Sequence, residues 1–284
     1  MSLLVQVKAG PYTVQGVSLG GVYTSLAVPE LGVVLDAGIP IRRFAGYDHV
    51  FLSHAHADHV GGLGGLLGIR GLVGKPRPKV YLPAAIAETL TEVLEGLTKL
   101  QRYDLSVELV PLEPGDVAEV GKGLFVRAFK THHPVPSLGY QFFRRIQKLR
   151  PEFVGLPGDE IGRRRKRGED LFDELEQLEL AYATDTLARV LETSPSVLDS
   201  RVLVLECTFL DGRKSRDAAR QGCHVHLDDL LEAAPPFRNE HLVLMHFSQL
   251  YAPDEVHRIL DERLPPELRA IVRPLAPKGR HWPY

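Results

Sequence analysis

The chain has 284 residues, 44% of them apolar and 25% charged, which is ordinary usage for a folded protein and enough length to bury a sizeable core. No run approaches 18 uncharged apolar residues, so no transmembrane helix is expected, and residues 1–8 show no basic segment ahead of an apolar stretch, so no secretory signal is expected. The net charge of −2 and the two cysteines, Cys207 and Cys223, outside CxxC spacing, exclude a uniformly basic nucleic-acid binder and a disulfide scaffold or cysteine-based zinc site; the expected compartment is the cytoplasm.

The N-terminal part reads as strands. Val5 to Val17, Val22 to Val28 and Val33 to Asp36 are β-branched runs punctuated by Gly and Pro, and His49 to Ser53 is a compact apolar strand. It runs into His54-Ala55-His56-Ala57-Asp58-His59 and then a glycine-rich segment from Gly61 to Gly74. Over residues 84–102, Ile86, Leu90, Val93, Leu94, Leu97 and Leu100 fall on one helical stripe. Strands are predicted at 105–112, 124–130, 138–143, 180–184, 202–205 and 242–245, and helices at 227–234 and 254–264. Strands first, then strands mixed with helices, suit two packed sheets with helices outside. No linker and no internal repeat divides the chain. The reading is one domain over 1–284 with a short inserted arm near 144–178.

Charge concentrates in that arm. Residues 144–167 hold nine basic groups against three acidic ones, whereas 169–179 hold six acids and no base. Arg163, Arg164, Arg165, Lys166 and Arg167 form its densest run. Such blocks are ordinarily solvated faces that partly neutralise each other, though the net charge does not exclude a local basic patch.

His54-x-His56-x-Asp58-His59 carries the chemistry. In extended backbone His54 and His56 point to one side, and a turn lets Asp58 and His59 face a second point nearby. Imidazole and carboxylate are ligands for zinc, manganese or iron. One loop cannot complete two metal spheres that each keep a position open for water. Polar residues recur at the ends of apolar strands: His132 and His133 after 124–130, Asp185 after 180–184, His246 after 242–245. His133 and His246 are candidates for one imidazole per metal, and Asp185 for a bridging carboxylate.

Together these residues resemble the metallo-β-lactamase superfamily, and further segments are similar to its ribonuclease Z family, the tRNA 3′-processing endonucleases. His133-Pro134-Val135-Pro136-Ser137-Leu138-Gly139-Tyr140 is similar to the family's His-x5-Gly-Tyr segment. Ala183-Thr184-Asp185-Thr186 matches its Gly-Asp-Thr strand end, with Thr184 in place of Gly. Leu205-Glu206-Cys207-Thr208-Phe209 resembles its His-Glu-Ala-Thr motif without the first His, and His246-Phe247-Ser248-Gln249-Leu250-Tyr251 its final His-x-Ser-x-x-Tyr. Pro151 to Gly158 looks like a segment of short plant-type members. The acidic turn ahead of the first metal loop is reduced to Leu35-Asp36-Ala37-Gly38-Ile39, and no Arg-Asn substrate-loop motif is evident.

The resemblance implies an αββα sandwich, an α/β fold holding two divalent metal ions, zinc foremost with manganese or iron as alternatives. His54, His56 and His133 would hold the first, Asp58, His59 and His246 the second, with Asp185 between them. Glu206 would back a histidine that protonates the leaving group; His224 and His226 both stand in the segment where that histidine is expected. Ser137, Tyr140 and the arm's Arg163, Arg164, Arg165, Lys166 and Arg167 would contact substrate. The implied activity is removal of the 3′ trailer from pre-tRNA, in a homodimer. Two such metals lower the pKa of a shared water towards about 7, so hydroxide is available at neutral pH, and Asp58 would orient or deprotonate it. Two other classes remain: a small-molecule hydrolase on the same scaffold, such as a cyclic-nucleotide phosphodiesterase, lactonase or thioesterase, and a metal-dependent RNA-binding protein without turnover.

Overall fold

The computed structural model describes residues 4–121, 123–233 and 237–283; residues 1–3 and the predicted end of a helix at Ala234 lie outside them. Among the described residues, fourteen strands form two seven-stranded sheets. The first contains β1 (Val5–Ala9), β2 (Tyr12–Leu19), β3 (Tyr23–Val28), β4 (Val33–Leu35), β5 (His49–Phe51), β6 (Lys79–Pro83) and β7 (Glu108–Leu112), in that spatial order. The second contains β8 (Val117–Gly121), β9 (Leu124–Lys130), β10 (Leu138–Leu149), β11 (Phe172–Ala183), β12 (Val202–Glu206), β13 (His241–Met245) and β14 (Val272–Pro274), again side by side in chain order. Each sheet starts antiparallel and finishes parallel, switching at β4 and at β11. The two halves therefore share one strand pattern, although no sequence repeat announces it.

The predicted run from Val5 to Val17 is two strands. Gly10 takes φ 57° ahead of Pro11, a conformation glycine adopts without the Cβ penalty, and folds the run into a hairpin with Val7 opposite Val14.

The helices are α1 (Ala57–Val60), α2 (Leu63–Leu72), α3 (Ala87–Gln101), α4 (Gly158–Lys166), α5 (Val190–Thr193), α6 (Arg216–Gln221), α7 (Leu227–Ala233), α8 (Pro253–Arg263) and α9 (Pro266–Ile271). They coat both outer faces, apart from α4, which lies at the far end of β10 and β11. Leu26, Leu35, Phe51, Val126, Tyr140, Phe142 and Val204 fill the space between the sheets. Leu63, Leu66 and Leu67 of α2 and Leu94 of α3 cover the outer face of the first sheet. Val190, Leu191, Leu230, Val256, Ile259 and Leu260 cover that of the second. This is the expected αββα sandwich.

The glycine-rich stretch is a helix. Gly64, Gly65, Gly68 and Gly71 all lie within α2, each costing about 1 kcal/mol relative to Ala. Burial of Leu63, Leu66 and Leu67 offsets this at roughly 1.5–3 kcal/mol per side chain. The missing side chains also admit neighbours: a Cβ on Gly71 would stand 1.8 Å from the Tyr103 hydroxyl and one on Gly64 3.0 Å from Leu97.

β10 and β11 are twelve residues each and pair antiparallel along their length. Leu138 to Phe143 and Glu179 to Ala183 are buried in the sandwich; the outer halves are largely exposed, and α4 joins their far ends. The segment read from sequence as an arm falls on this exposed pair and α4. Its +6 and −6 runs close on each other: Arg144 faces Glu179, Arg145 faces Glu174, Arg150 holds Asp170 and Asp173, and Arg164 and Arg167 hold Glu169. The basic run predicted from sequence is thus largely compensated within the arm. Lys148, Arg165 and Lys166 make no ion pair among the described residues, and Arg165 lies over the Phe172 ring, 5.6 Å from its centroid.

Candidate metal centre

The parallel strands end in residues with chemistry. His54 follows β5, Asp185 follows β11, Glu206 ends β12 and His246 follows β13, while His133 lies in the loop after β9. His56 caps α1, and Asp58 and His59 form its first turns. Asp36 after β4, Asp185, Cys223 and His246 all have φ between 43° and 61°, the left-handed region that non-glycine residues rarely occupy. Only Arg102 shares it among the described non-glycine residues. Strained backbone collected at one place marks a functional site.

The seven sequence candidates converge. Ligand atoms of His54, His56, His133 and Asp185 lie within 4.8 Å of one another, and so do those of Asp58, His59 and His246. Asp185 joins the two groups. Its Oδ2 is 3.7 Å from His54 Nε2 and 3.9 Å from His133 Nε2, whereas Oδ1 is 3.2 Å from His59 Nε2 and 3.3 Å from His246 Nε2. Asp58 Oδ2 lies 3.5 Å from His59 Nε2 and 3.8 Å from His246 Nε2.

The imidazoles are oriented from behind. Asp36, fully buried, accepts from Ser53 N (2.7 Å), Ser53 Oγ (2.8 Å) and Tyr182 OH (2.6 Å), and its Oδ2 is 2.8 Å from His59 Nδ1. His54 Nδ1 is 3.0 Å from Ser53 Oγ. His246 Nδ1 is 3.1 Å from Thr208 Oγ1, which donates to Glu206 Oε2 at 2.5 Å. With Nδ1 occupied, each ring turns the Nε2 lone pair inward. Nε2 of His54, His59 and His246 is buried and has no hydrogen-bond partner among the described residues. Buried polar groups are almost always paired, so this donor set of imidazoles and carboxylates fits a divalent-metal site.

Electrostatics agree at His54 and His133, whereas at His59 burial is outweighed by Asp185 and Asp36, which raise the pKa well above the usual value and mark a demand for positive charge between the carboxylates. Burial, reinforced by the neighbouring His59, lowers the His54 pKa to about 2, and burial also lowers that of His133; both are neutral and able to ligate. Burial works against ionising Asp185, yet the facing His246 and His59 outweigh it and hold the carboxyl well below the usual range. Asp58 follows the same pattern: burial works against its ionisation, and the facing His246 and His59 outweigh it.

The two histidines that compete as proton donor part company. Burial pulls the His224 pKa down, but Glu206 outweighs it, and the ring is raised to about 9. Its Nδ1 is 3.1 Å from Glu206 Oε1, and the ring lies 5.5 Å from that of His246 and 6.0 Å from that of His133 between centroids. His226 is 1% exposed, with Nε2 on the Asp211 carbonyl and Nδ1 accepting from Asp228 N. Both nitrogens of His226 are thus engaged by main-chain groups, Asp211 O and Asp228 N, whereas His224 adjoins the cluster.

Tyr140 is turned inward. It is fully buried and its hydroxyl donates to the Leu52 carbonyl at 2.6 Å, so it holds the metal loop from below rather than facing substrate. Ser137 stays partly exposed and accepts from Thr131 Oγ1 at 2.6 Å. Arg163, Arg164, Arg165, Lys166 and Arg167 stand on and just after α4, out on the arm, and none touches the histidine cluster. Sequence reasoning missed Asp36, Ser53, Tyr182 and Thr208. Of these, Asp36 carried a signal as an acid ending an apolar strand, and Thr208 as a member of the segment resembling the His-Glu-Ala-Thr motif.

Residues 34–247 match the beta-lactamase superfamily domain family. The chain is 35% identical over 263 residues to tRNase Z TRZ1 of Arabidopsis thaliana, covering 92% of this chain and 94% of the relative. It is 33% identical over 271 residues to the chloroplastic tRNase Z TRZ2 of the same plant, covering 95% and 76%. The crystal structure of human tRNase Z, short form, superposes with a TM-score of 0.56 at 19% identity over 82% of this chain and 92% of that one, a likeness of fold. With its αββα layers, its histidine and aspartate cluster and this identity over most of its length, the chain belongs to the beta-lactamase superfamily and, within it, to the ribonuclease Z family.

Proposed function

We propose that this chain is a metal-dependent endoribonuclease that removes the 3′ trailer from pre-tRNA, acting as one metallo-hydrolase domain that carries the arm. The observation that carries the reading is the pairing of two ligand clusters across Asp185 with a Glu206-backed His224 at their edge. His54, His56 and His133 would hold one divalent ion, Asp58, His59 and His246 another, with Asp185 shared. Bound there, the ions would supply an activated water and neutralise charge on the phosphoryl oxygens. Five imidazoles and two carboxylates suit zinc, with manganese or iron as alternatives.

The chain's own groups do the rest. Asp58, ionised and half-buried, is placed to orient the attacking water and accept its proton. Attack in line on phosphorus breaks the bond to O3′, leaving a 3′-hydroxyl on the tRNA and the phosphate on the trailer. His224 hands a proton to O3′ from Nε2, since Nδ1 is engaged by Glu206, as a general acid of suitable pKa would. Lys148, Arg165 and Lys166, without carboxylate partners, are the arm cations best placed to meet RNA phosphates, which position without reading sequence. The likeness to named tRNase Z proteins along nearly the whole chain favours this substrate over a small ester or cyclic nucleotide.

We further propose a homodimer and a cytoplasmic setting. An exposed apolar strip along α2 and α3, with Leu72 and Leu100 each 83% exposed, supports self-association. Two free cysteines support a reducing compartment, and no described helix is long and apolar enough to cross a membrane. Light scattering that finds only monomer at micromolar concentration would count against the dimer. The function itself is tested by incubating the protein with a 3′-extended pre-tRNA and with a generic phosphodiester, with zinc or manganese added. A single cut releasing the trailer is expected; an intact pre-tRNA beside a hydrolysed small ester or cyclic nucleotide would overturn the reading.

A further inference from the structure

We propose that Phe209 and Lys214 form a nucleotide subsite beside His224, in which the ring stacks on the base of the nucleotide 5′ of the cut and the ammonium pairs with that nucleotide's phosphate. The inference rests on the reading of His224 as the group that protonates O3′.

Phe209 follows Thr208, the residue that links Glu206 to His246. Its main chain is fixed on both sides: N donates to the Val225 carbonyl at 3.3 Å and O accepts from Leu227 N at 2.8 Å. The ring is only partly buried and meets that of His224 edge-on, with centroids 6.2 Å apart at 77°. Lys214 brings Nζ to 5.7 Å from the Phe209 centroid and makes no ion pair among the described residues. Its neighbour Arg213 is consumed by Asp211, Glu255 and the Leu250 carbonyl. An uncommitted cation over a part-exposed ring, on a rigid backbone at the edge of a phosphodiester site, is the pairing that single-stranded nucleic acid uses: bases stack on aromatic faces while phosphates take the charge.

Stereochemistry selects the nucleotide. In-line attack puts the departing oxygen opposite the incoming water, and the donor of its proton must reach that side. O3′ belongs to the nucleotide 5′ of the cut, so groups flanking His224 meet that sugar and base rather than the trailer. Stacking also requires the base to be unpaired, so the subsite selects substrates in which this nucleotide lies outside a duplex.

The test is a cycle on pre-tRNA carrying either the normal base or an abasic residue at that position. For the parent, the abasic residue should lower kcat/KM about tenfold, the value of one base–aromatic stack. Phe209→Leu should lose a similar factor on the normal substrate and little more on the abasic one, and Phe209→Tyr should recover most of it. Lys214→Ala should flatten the log–log salt dependence of RNA affinity by about 0.7. Bis(p-nitrophenyl) phosphate has no base to stack, so the Phe209→Leu loss there should be far smaller. Equal losses on normal and abasic RNA, or a parallel fall on the small diester, would overturn the subsite and make the ring a packing element. A short ribo-oligonucleotide ending in a 3′-phosphate separates this from the function, because it binds without being cut. If the parent leaves pre-tRNA intact, the endonuclease reading fails, while a drop of about tenfold in oligonucleotide affinity in Phe209→Leu still supports the subsite; unchanged affinity overturns it.

Discussion

Two buried carboxylates govern the centre one bond behind the ligands. Asp36 collects Ser53, His59 and Tyr182, while Glu206 collects Thr186 N, Thr208, His224 and Val225 N. Tyr182→Phe removes one of the bonds that fix Asp36 and leaves every candidate ligand in place. Partners behind ligating histidines are worth about 10–100-fold in metal affinity, so competition against a chelator should show a loss near the lower end of that range. Parental affinity in this variant would mean that Asp36 needs no tether from the second sheet. His224 and His226 separate by a pair of variants. His224→Gln should lower pre-tRNA turnover by about 10²–10⁴, the usual range for a general acid, with metal content kept. His226→Gln should instead lower the unfolding temperature and spare turnover in the folded fraction; the reverse pattern would reassign the donor.

Among the elements, the arm is where charge and topology meet. Because β10 and β11 pair along their whole length, the basic first half and the acidic second half of the insertion face each other. The bland reading of the charge blocks, mutual neutralisation, therefore holds for much of the run. It does not remove the arm from RNA binding. In the variant with Arg163, Arg164, Arg165 and Arg167 all replaced by Ala, Asp159, Glu160 and Glu169 lose the partners seen at 3.0–3.1 Å and are left to repel phosphate. Pre-tRNA affinity should fall and its salt slope flatten, while small-diester hydrolysis continues, since the arm does not touch the histidine cluster. Wild-type affinity and slope would reduce the arm to a solvated surface. In exposed pairs of this kind the effect on stability is small, about 0–1 kcal/mol each, so folding should survive the change.

At the scale of the whole molecule, the metal centre sits on the seam between the two halves. Tyr182 OH reaches Asp36, Tyr140 OH reaches the Leu52 carbonyl, and Leu138 N reaches the Ser53 carbonyl at 2.9 Å. Each bond runs from the second sheet to loops of the first that carry the histidines or, at Asp36, orient one of them. Metal binding should therefore stabilise the sandwich as a unit. At a free metal concentration 100 times Kd the gain is about 2.7 kcal/mol per site, seen as a rise of several degrees in Tm on loading and its loss to a chelator. Elemental analysis should approach two ions per chain; a value that stays below one after loading would refute the dinuclear assignment.

What sequence alone determined was whatever a few neighbouring residues encode. Alternating and helical periodicity located most strands and the stripe of α3, and His54 to His59 declared its chemistry through local spacing. Strand ends pointed to His133, Asp185 and His246 because a rigid strand delivers its last side chain to the sheet edge. Tertiary structure decided what depends on distant partners. Tyr182 and Asp36 are 146 residues apart, and no spacing rule joins them. His224 and His226 look alike in sequence; one faces the ligand cluster and the other caps a helix only because of how α6 and α7 pack. Tyr140 reads as a substrate contact until burial turns its hydroxyl to Leu52. The glycine-rich segment from Gly61 to Gly74 shows no element in sequence, yet Leu63–Leu72 forms α2 because leucine burial outweighs the cost of glycine in a helix, and close neighbours such as Tyr103 need the space that a side chain would fill.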